Sequence, residues 1–200
     1  MVVLELILKI LDRFWGIFFS RLTCLRLGNC GVGLTIKFPA ALVNPAAIRL
    51  GDNVTIREHA WLNCEPNLDH SINLSIGNNC YLGRFIHINA RESVTIEDNV
   101  LIADRVFITD HHHGCDSLDM PIIFQPLPPG RSVRIGQGSW IGIGAAIFPG
   151  VTIGRNAIVA ANAVVTRDVP DRAVARGVPA RMFERSSGAE IKSIRPLPNL

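Results

Sequence analysis

No dense basic run, no C-x-x-C pair and no uninterrupted apolar stretch of bilayer length occurs in this sequence, and each absence removes a class of function. Lys and Arg number 20 against 17 Asp and Glu, a net charge of +3, so the electrostatic footprint of a nucleic-acid binder is missing. Any anion it holds is small. Cys24, Cys30, Cys64, Cys80 and Cys115 are odd in number and irregular in spacing, which argues against a disulfide framework and a zinc knuckle. Reduced intracellular thiols and no metal are the expectation. Val2 to Phe19 is apolar, but Glu5, Lys9, Asp12 and Arg13 interrupt it and no small-residue cleavage site follows, so neither a spanning helix nor a signal peptide fits. What the chain has in quantity is aliphatic. Hydrophobic residues at 48% of 200 supply the core of one domain and exclude disorder for most of its length.

Val3, Ile7, Ile10, Leu11, Phe14, Ile17 and Phe18 recur at helical spacing, which predicts an amphipathic helix within residues 1–27. Beyond it the period changes. Aliphatic residues stand six apart at Leu50, Ile56, Leu62; at Ile76, Leu82, Ile88; at Ile96, Ile102, Ile108; and from Ile135 through Ile141, Ile147, Ile153 and Val159 to Val165. A weaker start shows at Ile36, Leu42 and Ile48. Four places after the residues of the strong repeat the side chain is Ala, Ser, Cys or Val at 11 of 15 positions, Val54, Ala60, Ala145 and Ala163 among them. The next residue is Gly at 51, 77, 83, 136, 142 and 154 and Asn at 63 and 89, which reads as a corner tolerating positive φ.

A six-residue unit with one large and one small inward side chain is a short strand plus a corner, and three such units close a triangular coil. Fifteen units predict an all-β solenoid of about five or more coils, ~24 Å long at ~4.8 Å per coil. Sandwich strands would instead alternate with period two between turns. The spacing slips by two residues between Leu62 and Ile76 and between Ile88 and Ile96, and 27 residues separate Ile108 from Ile135. This last gap holds a protruding loop, 110–132, rich in proline, and loops of such length are usually functional. The solenoid is expected over 28–169, with a C-terminal cap and tail over 170–200.

Three stretches carry a resemblance. They are the run from Ile96 to Gly114 ending Asp-His-His-His-Gly, the run Ser139-Trp-Ile-Gly-Ile-Gly-Ala-Ala-Ile-Phe-Pro-Gly-Val-Thr-Ile-Gly154, and Val164-Val-Thr-Arg-Asp-Val-Pro170 with Gly177-Val-Pro-Ala-Arg181. They resemble the hexapeptide-repeat acyltransferases, in the branch of the galactoside, maltose and polysaccharide O-acetyltransferases. The resemblance spans roughly residues 30–182 and implies a left-handed parallel β-helix, a homotrimer, acetyl-CoA as acyl donor and a sugar or polysaccharide-precursor acceptor.

In that branch the catalytic histidine lies five residues after the third aliphatic position of its coil, which here is His113, with His111 as the second candidate. Strand alternation points Ile108 and position 112 inward and sends His111 and His113 outward toward a neighbouring subunit. His112 falls where a small residue is wanted, so the strand is expected to break there. An imidazole suits the task because a sugar hydroxyl becomes a good nucleophile only as a base takes its proton, and histidine titrates near neutrality. The resemblance also implies direct transfer without an acyl-enzyme, so Cys115 is not a nucleophile. It implies an oxyanion donor at the Ile143 N–H beside Gly142, pantetheine contacts near Ala161, and a nucleotide end held by Thr166, Arg167 and Arg181. Trp140 matches an aromatic position of the family, in packing or ligand contact. The Asn and Asp that hold the acceptor in the galactoside and maltose enzymes correspond to Phe85 and Ala90 here, so the acceptor differs. Asn89 and Arg91 are nearby polar candidates, although a corner would also account for Asn89.

Two other readings use the same fold. A γ-type carbonic anhydrase needs three imidazoles converging on zinc from two subunits, whereas these histidines cluster in one loop with His59, His70 and His87 scattered. A catalytically silent scaffold would have no use for His113, Arg167 and Arg181. The acyl chain length and the choice between O- and N-acetylation stay open. The expected location is the cytoplasm, where residues 1–26 either cap the open end of the prism or meet the inner face of the plasma membrane with Arg13, Arg21 and Arg26 at anionic head groups.

Overall fold

The computed structural model describes residues 14–66 and 71–185. Val3, Ile7, Ile10, Leu11, Arg13, His70 and the tail from 186 lie outside them. A helix, α1, occupies 14–24. Short strands follow in triplets, β1 Asn29–Cys30, β2 Thr35–Ile36 and β3 Ala41–Val43 forming the first coil. Coil two is β4 Ile48–Leu50, β5 Thr55–Ile56 and β6 Trp61–Cys64; coil three is β7 Leu74–Ile76, β8 Tyr81–Leu82 and β9 His87–Ala90. Coil four is β10 Val94–Ile96, β11 Leu101–Ile102 and β12 Phe107–Thr109; coil five is β13 Val133–Ile135, β14 Trp140–Ile141 and β15 Ala146–Ile147. Coil six is β16 Thr152–Ile153, β17 Ile158–Val159 and β18 Val164–Val165. The result is a left-handed parallel β-helix whose three faces are sheets of six, eight and six strands.

Register follows the six-residue period. On the second face Ile36, Ile56, Leu82, Ile102, Ile141 and Val159 pair in turn, and on the third Leu42, Leu62, Ile88, Ile108, Ile147 and Val165 do so. Each column stacks aliphatic side chains down the interior, where all but the half-buried Leu42 are essentially inaccessible. The small residues, Val54, Ala60, Ala145 and Ala163 among them, fill the corners and are equally buried. Six coils stand where the strong repeat indicates five. The extra coil is the weak start, and its first inward residue is Cys30, paired with Leu50, which the aliphatic pattern does not reach. Ile48 belongs to β4, two residues before Leu50.

Corner chemistry differs from the expectation. The glycines at 51, 77, 83, 136, 142 and 154 do not have positive φ; that conformation falls two residues later, at Asn53, Asn79, Phe85, Gly138, Gly144 and Asn156, and Asn99 shares it. Glycine is required two positions earlier because the next coil passes too close. A Cβ on Gly83 would stand 2.5 Å from the Ala103 carbonyl carbon, and one on Gly142 2.7 Å from the Ala161 nitrogen. The left-handed asparagines then link their amides from coil to coil, Asn53 donating to Asn79 at 3.1 Å and Asn79 to Asn99 at 3.2 Å.

Every insertion that breaks the period lies on one edge, where the third face turns into the first. It holds the 3-10 turn Pro45–Ala47, the segment after Cys64, the turn at 91–93 and the long excursion between β12 and β13. In that excursion Gln125 ties the loop to itself, donating to the carbonyls of Ser117 at 2.9 Å and Met120 at 2.8 Å. The loop closes where the Arg131 N–H donates to the Asp110 carbonyl at 2.7 Å.

Helix α1 caps the open end of the prism with the side that carries Phe19, Ser20 and Thr23, Phe19 packing against the core. The buried Ser20 hydroxyl donates to the Gly16 carbonyl at 2.6 Å and accepts the Ile36 N–H at 2.7 Å, so an edge donor of coil one has a partner. Phe14, Trp15, Ile17, Phe18 and Leu22 are exposed, opposite to the burial that capping by the apolar stripe implies. Cys24 and Cys30 form a disulfide between the end of α1 and β1, against the expectation of reduced thiols throughout; their side chains meet because the chain reverses between helix and strand. At the other end β19 Val174–Arg176 pairs with β17, and β20 Arg181–Phe183 returns antiparallel to it, which covers the last coil.

Candidate active site

Strand β12 ends at Thr109, and its alternation carries one residue further. Asp110 takes the inward place that Ala90 and Cys64 occupy in the coils before it and is fully buried. A carboxylate there would be costly without donors. It has them: its oxygens accept the N–H groups of Arg91 at 2.9 and 3.0 Å, Glu92 at 2.8 Å and Ser93 at 2.8 Å, all from the turn of the preceding coil. The remaining direction faces the His111 ring, with Nδ1 2.8 Å from Asp110 Oδ1. A carboxylate can only accept, so the neutral ring carries its proton on Nδ1 and leaves Nε2 as the basic atom. Thr109 Oγ1 donates to the His111 carbonyl at 2.9 Å and holds the backbone of this turn.

His112 is exposed, not inward, because the strand has already ended. His113 is exposed as well and makes no hydrogen bond among the described residues. Sequence reasoning passed over Asp110. The signal was the same alternation that places Ile108 inward, read one step further.

On the edge between the second and third faces, Gly142, Ile143 and Ala161 lie on successive coils. Two coils before Ile143 on this edge the N–H of Arg84 is held by the Asp104 carboxylate of the following coil at 2.8 Å, and that hydrogen bond, foremost, lowers the pKa of Asp104. Relative to Ile143, Ala161 holds the place that Asp104 holds relative to Arg84, and the Ile143 N–H has no acceptor among the described residues. Ile143 is 47% exposed, so this donor is open to a ligand. Thr166 and Arg167 follow β18 and Arg181 begins on β20, all three exposed. His111 and Ile143 lie on different edges, separated by the width of the third face. A single chain does not bring them together.

The polar candidates of coil three are partly placed. Asn89 lies within β9 with an outward side chain, so the corner explanation does not apply, and its Oδ1 stands 3.3 Å from His87 Nε2. Arg91 is half-buried, beside the Asp110 carboxylate through its own N–H. Phe85 sits at a corner stacked on His59 at 4.7 Å, and Ala90 is interior, so neither offers a sugar a hydrogen bond. Trp140 projects outward from the second face and is partly exposed.

Of the free thiols, Cys64 and Cys80 are buried, and burial pushes Cys64 up to about 12, too high for a thiolate. His59 and His87 stack on Phe85 and Trp61, away from the loop histidines, and no group of three or more His, Cys, Asp or Glu gathers among the described residues.

Comparison with known proteins agrees with the repeat and the fold. Residues 132–167 match the family described as bacterial transferase hexapeptide (six repeats). The Escherichia coli protein WbbJ, assigned to lipopolysaccharide biosynthesis as an O-acetyltransferase, is 32% identical over 192 residues, 90% of this chain and 94% of its own. AntD, an N-acyltransferase from Bacillus cereus, shares the fold at a TM-score of 0.70 and 20% identity, over 84% of this chain and 89% of its own. A galactoside acetyltransferase solved in complex with coenzyme A superposes with a TM-score of 0.56 at 26% identity, over 82% of this chain and 67% of its own. The repeat, the left-handed prism and a relative matched over nearly its full length agree: the chain belongs to the hexapeptide-repeat acetyltransferases, among the O-acetyltransferases.

Proposed function

We propose that this protein moves the acetyl group of acetyl-CoA onto a hydroxyl of a sugar or polysaccharide precursor, with His111 as general base. The acceptor oxygen attacks the thioester carbonyl while Nε2 takes its proton. The carbon–sulfur bond breaks next, the CoA sulfur leaves and the proton returns to it, so no acyl-enzyme forms. The Ile143 N–H receives the charge that develops on the carbonyl oxygen. Pantetheine lies along Gly142 and Ala161, and Thr166, Arg167 and Arg181 hold the phosphates through fixed charge and forked donors. The observation that carries the reading is the buried Asp110–His111 pair, a base held by a third group at an exposed edge. His113, first by the family count, lacks such a partner.

The working unit is a homotrimer. His111 and Ile143 stand on separate edges, so base and oxyanion donor must come from neighbouring copies. The outward columns support this. The first face shows Asn29, Arg49, Ser75, Thr95, Arg134 and Thr152, which suits water; the second shows Tyr81, Leu101, Trp140 and Ile158, and the third Trp61, His87, Phe107 and Val164. Loop residues Ile122, Ile123 and Phe124 are exposed too, ready to meet a second copy. No described helix is long and apolar enough to cross a membrane. Residues 1–26 make a peripheral contact instead: the outward side of α1 is apolar, and from Phe14 to Gly51 the sequence has four cations and no acid.

The test is acetyl transfer to a panel of sugars and lipid-linked oligosaccharides, read by mass spectrometry alongside CoA release. His111→Ala lowers kcat by ~10²–10⁴, the usual worth of a general base, and His113→Ala by much less. The reverse order would move the role to His113. Full activity in a monomer by light scattering would overturn the shared site.

A further inference from the structure

Two outward columns of the third face converge on His111 from one side only. Parallel in-register strands repeat a side-chain position every ~4.8 Å along the prism. One column is Asn63, Asn89 and Thr109, paired in that order on β6, β9 and β12. Two residues further along each strand a second column follows, Glu65, Arg91 and His111, held in line where the Glu65 N–H donates to the Ala90 carbonyl at 2.8 Å and the Arg91 N–H donates to Asp110. All except the buried Thr109 are half-buried, and their polar groups are partly fixed. Asn63 Nδ2 donates to Glu65 Oε1 at 3.2 Å, and Asn89 Oδ1 lies 3.3 Å from His87 Nε2.

The same positions on the other side of His111 change character. In coil five they are Phe148 and Gly150, with no hydrogen-bonding side chain, and in coil six Thr166 begins the stretch assigned to the acyl donor. Donor and acceptor therefore reach the base from opposite directions. The side toward coils two and three is lined with amide, carboxylate and guanidinium groups at a spacing close to one pyranose unit, and it leads toward the end of the prism that α1 covers.

We propose that these two columns form an extended acceptor groove which holds a linear oligosaccharide across coils two to four, about three sugar units, the acetylated one lying at His111. This rests on the transfer reading given above and names its acceptor class: a glycan chain, not a free monosaccharide. Each unit added toward the N-terminal end meets a new pair of polar side chains, so binding strengthens until the groove is filled and then stops strengthening.

The experiment uses the full-length protein with acetyl-CoA and two unbranched series of one to five units, maltooligosaccharides and chito-oligosaccharides, with CoA release and product mass as readouts. In the wild type, kcat/KM rises about tenfold or more between one unit and three, chiefly through KM, and levels off by four, as expected for a few added hydrogen bonds. Asn63→Ala and Glu65→Gln, which strip the coil-two pair that meets the third unit, bring the three-to-two ratio close to unity and keep the two-to-one ratio, whereas Ser75→Ala on the first face keeps both wild-type ratios. Because the readout is a ratio within one variant, partial loss of folded protein does not imitate it. A flat length profile in both series, or a three-to-two ratio that survives Asn63→Ala, overturns the groove while leaving acetyl transfer intact. Absence of transfer at every length in both series overturns the transfer reading itself.

Discussion

Replacing Asp110 by Asn changes one atom and sets two demands against each other. The carboxylate accepts from three backbone N–H groups and faces His111 Nδ1, four donors on two oxygens. An amide has one accepting oxygen and one NH2. If the NH2 turns toward Glu92 and Ser93, buried donors lose their acceptor at a cost of ~1–3 kcal/mol each. If it turns toward His111, the backbone bonds survive and the imidazole must instead accept on Nδ1, which puts its proton on Nε2 and removes the base. The second arrangement costs less. It still replaces three charge-assisted hydrogen bonds by neutral ones, roughly 1 kcal/mol each, so stability falls by about 3 kcal/mol. At ~2–4 °C per kcal/mol for a chain of this size, Tm drops by about 6–12 °C. Turnover falls by ~10²–10⁴ with little change in the KM for acetyl-CoA. Thermal melts followed by circular dichroism and CoA release measured with a thiol reagent read both effects. The discriminating result is the double variant. Because Asp110 acts through His111, Asp110→Asn in a His111→Ala background loses no further activity. Multiplicative losses, or an Asp110→Asn enzyme that melts early yet turns over at the wild-type rate, would leave Asp110 a purely structural role.

Ala161→Asp supplies the cap that Asp104 gives Arg84, so the Ile143 N–H is occupied and kcat falls by ~10²–10³ without loss of Tm; an enzyme of normal kcat would refute the oxyanion role. Arg181→Ala raises the apparent KM for acetyl-CoA more than that for the acceptor, and equal effects in steady-state kinetics would count against a phosphate contact. Phe18 is 52% exposed, so Phe18→Ser leaves Tm within ~2 °C while binding to anionic vesicles, measured by flotation at low and high salt, declines. Ser20→Ala, which strips the acceptor from the buried Ile36 N–H, instead lowers stability by ~1–3 kcal/mol; a silent Ser20→Ala would contradict the capping role of α1.

Much of the prism is legible because its physics is local and repeated. A large aliphatic side chain must point inward once per six residues, and a small one must fit each corner, so Leu62, Ile88 and Ile108 announce the same column without reference to one another. Gly142 was legible for the same reason, as a corner of the repeat, whereas Ile143 was named only through the family resemblance. The long loop was visible as a gap in that period.

Sequence alone determined the period, the parallel coils, the place of the protruding loop and the histidine cluster, since each depends on residues a few positions apart. Tertiary structure decided what depends on the neighbouring coil. Only stacking shows that the Gly83 and Gly142 positions are kept clear by an approaching backbone, while positive φ falls on Asn79 and Gly144. Only stacking puts the Arg91–Ser93 turn over Asp110, the carboxylate that His111 meets and His113 does not. The direction of α1 was also undecided in the sequence: its apolar stripe could serve as cap or as outer face, and the choice fell to Ser20, whose hydroxyl satisfies an open strand edge that no phenylalanine could.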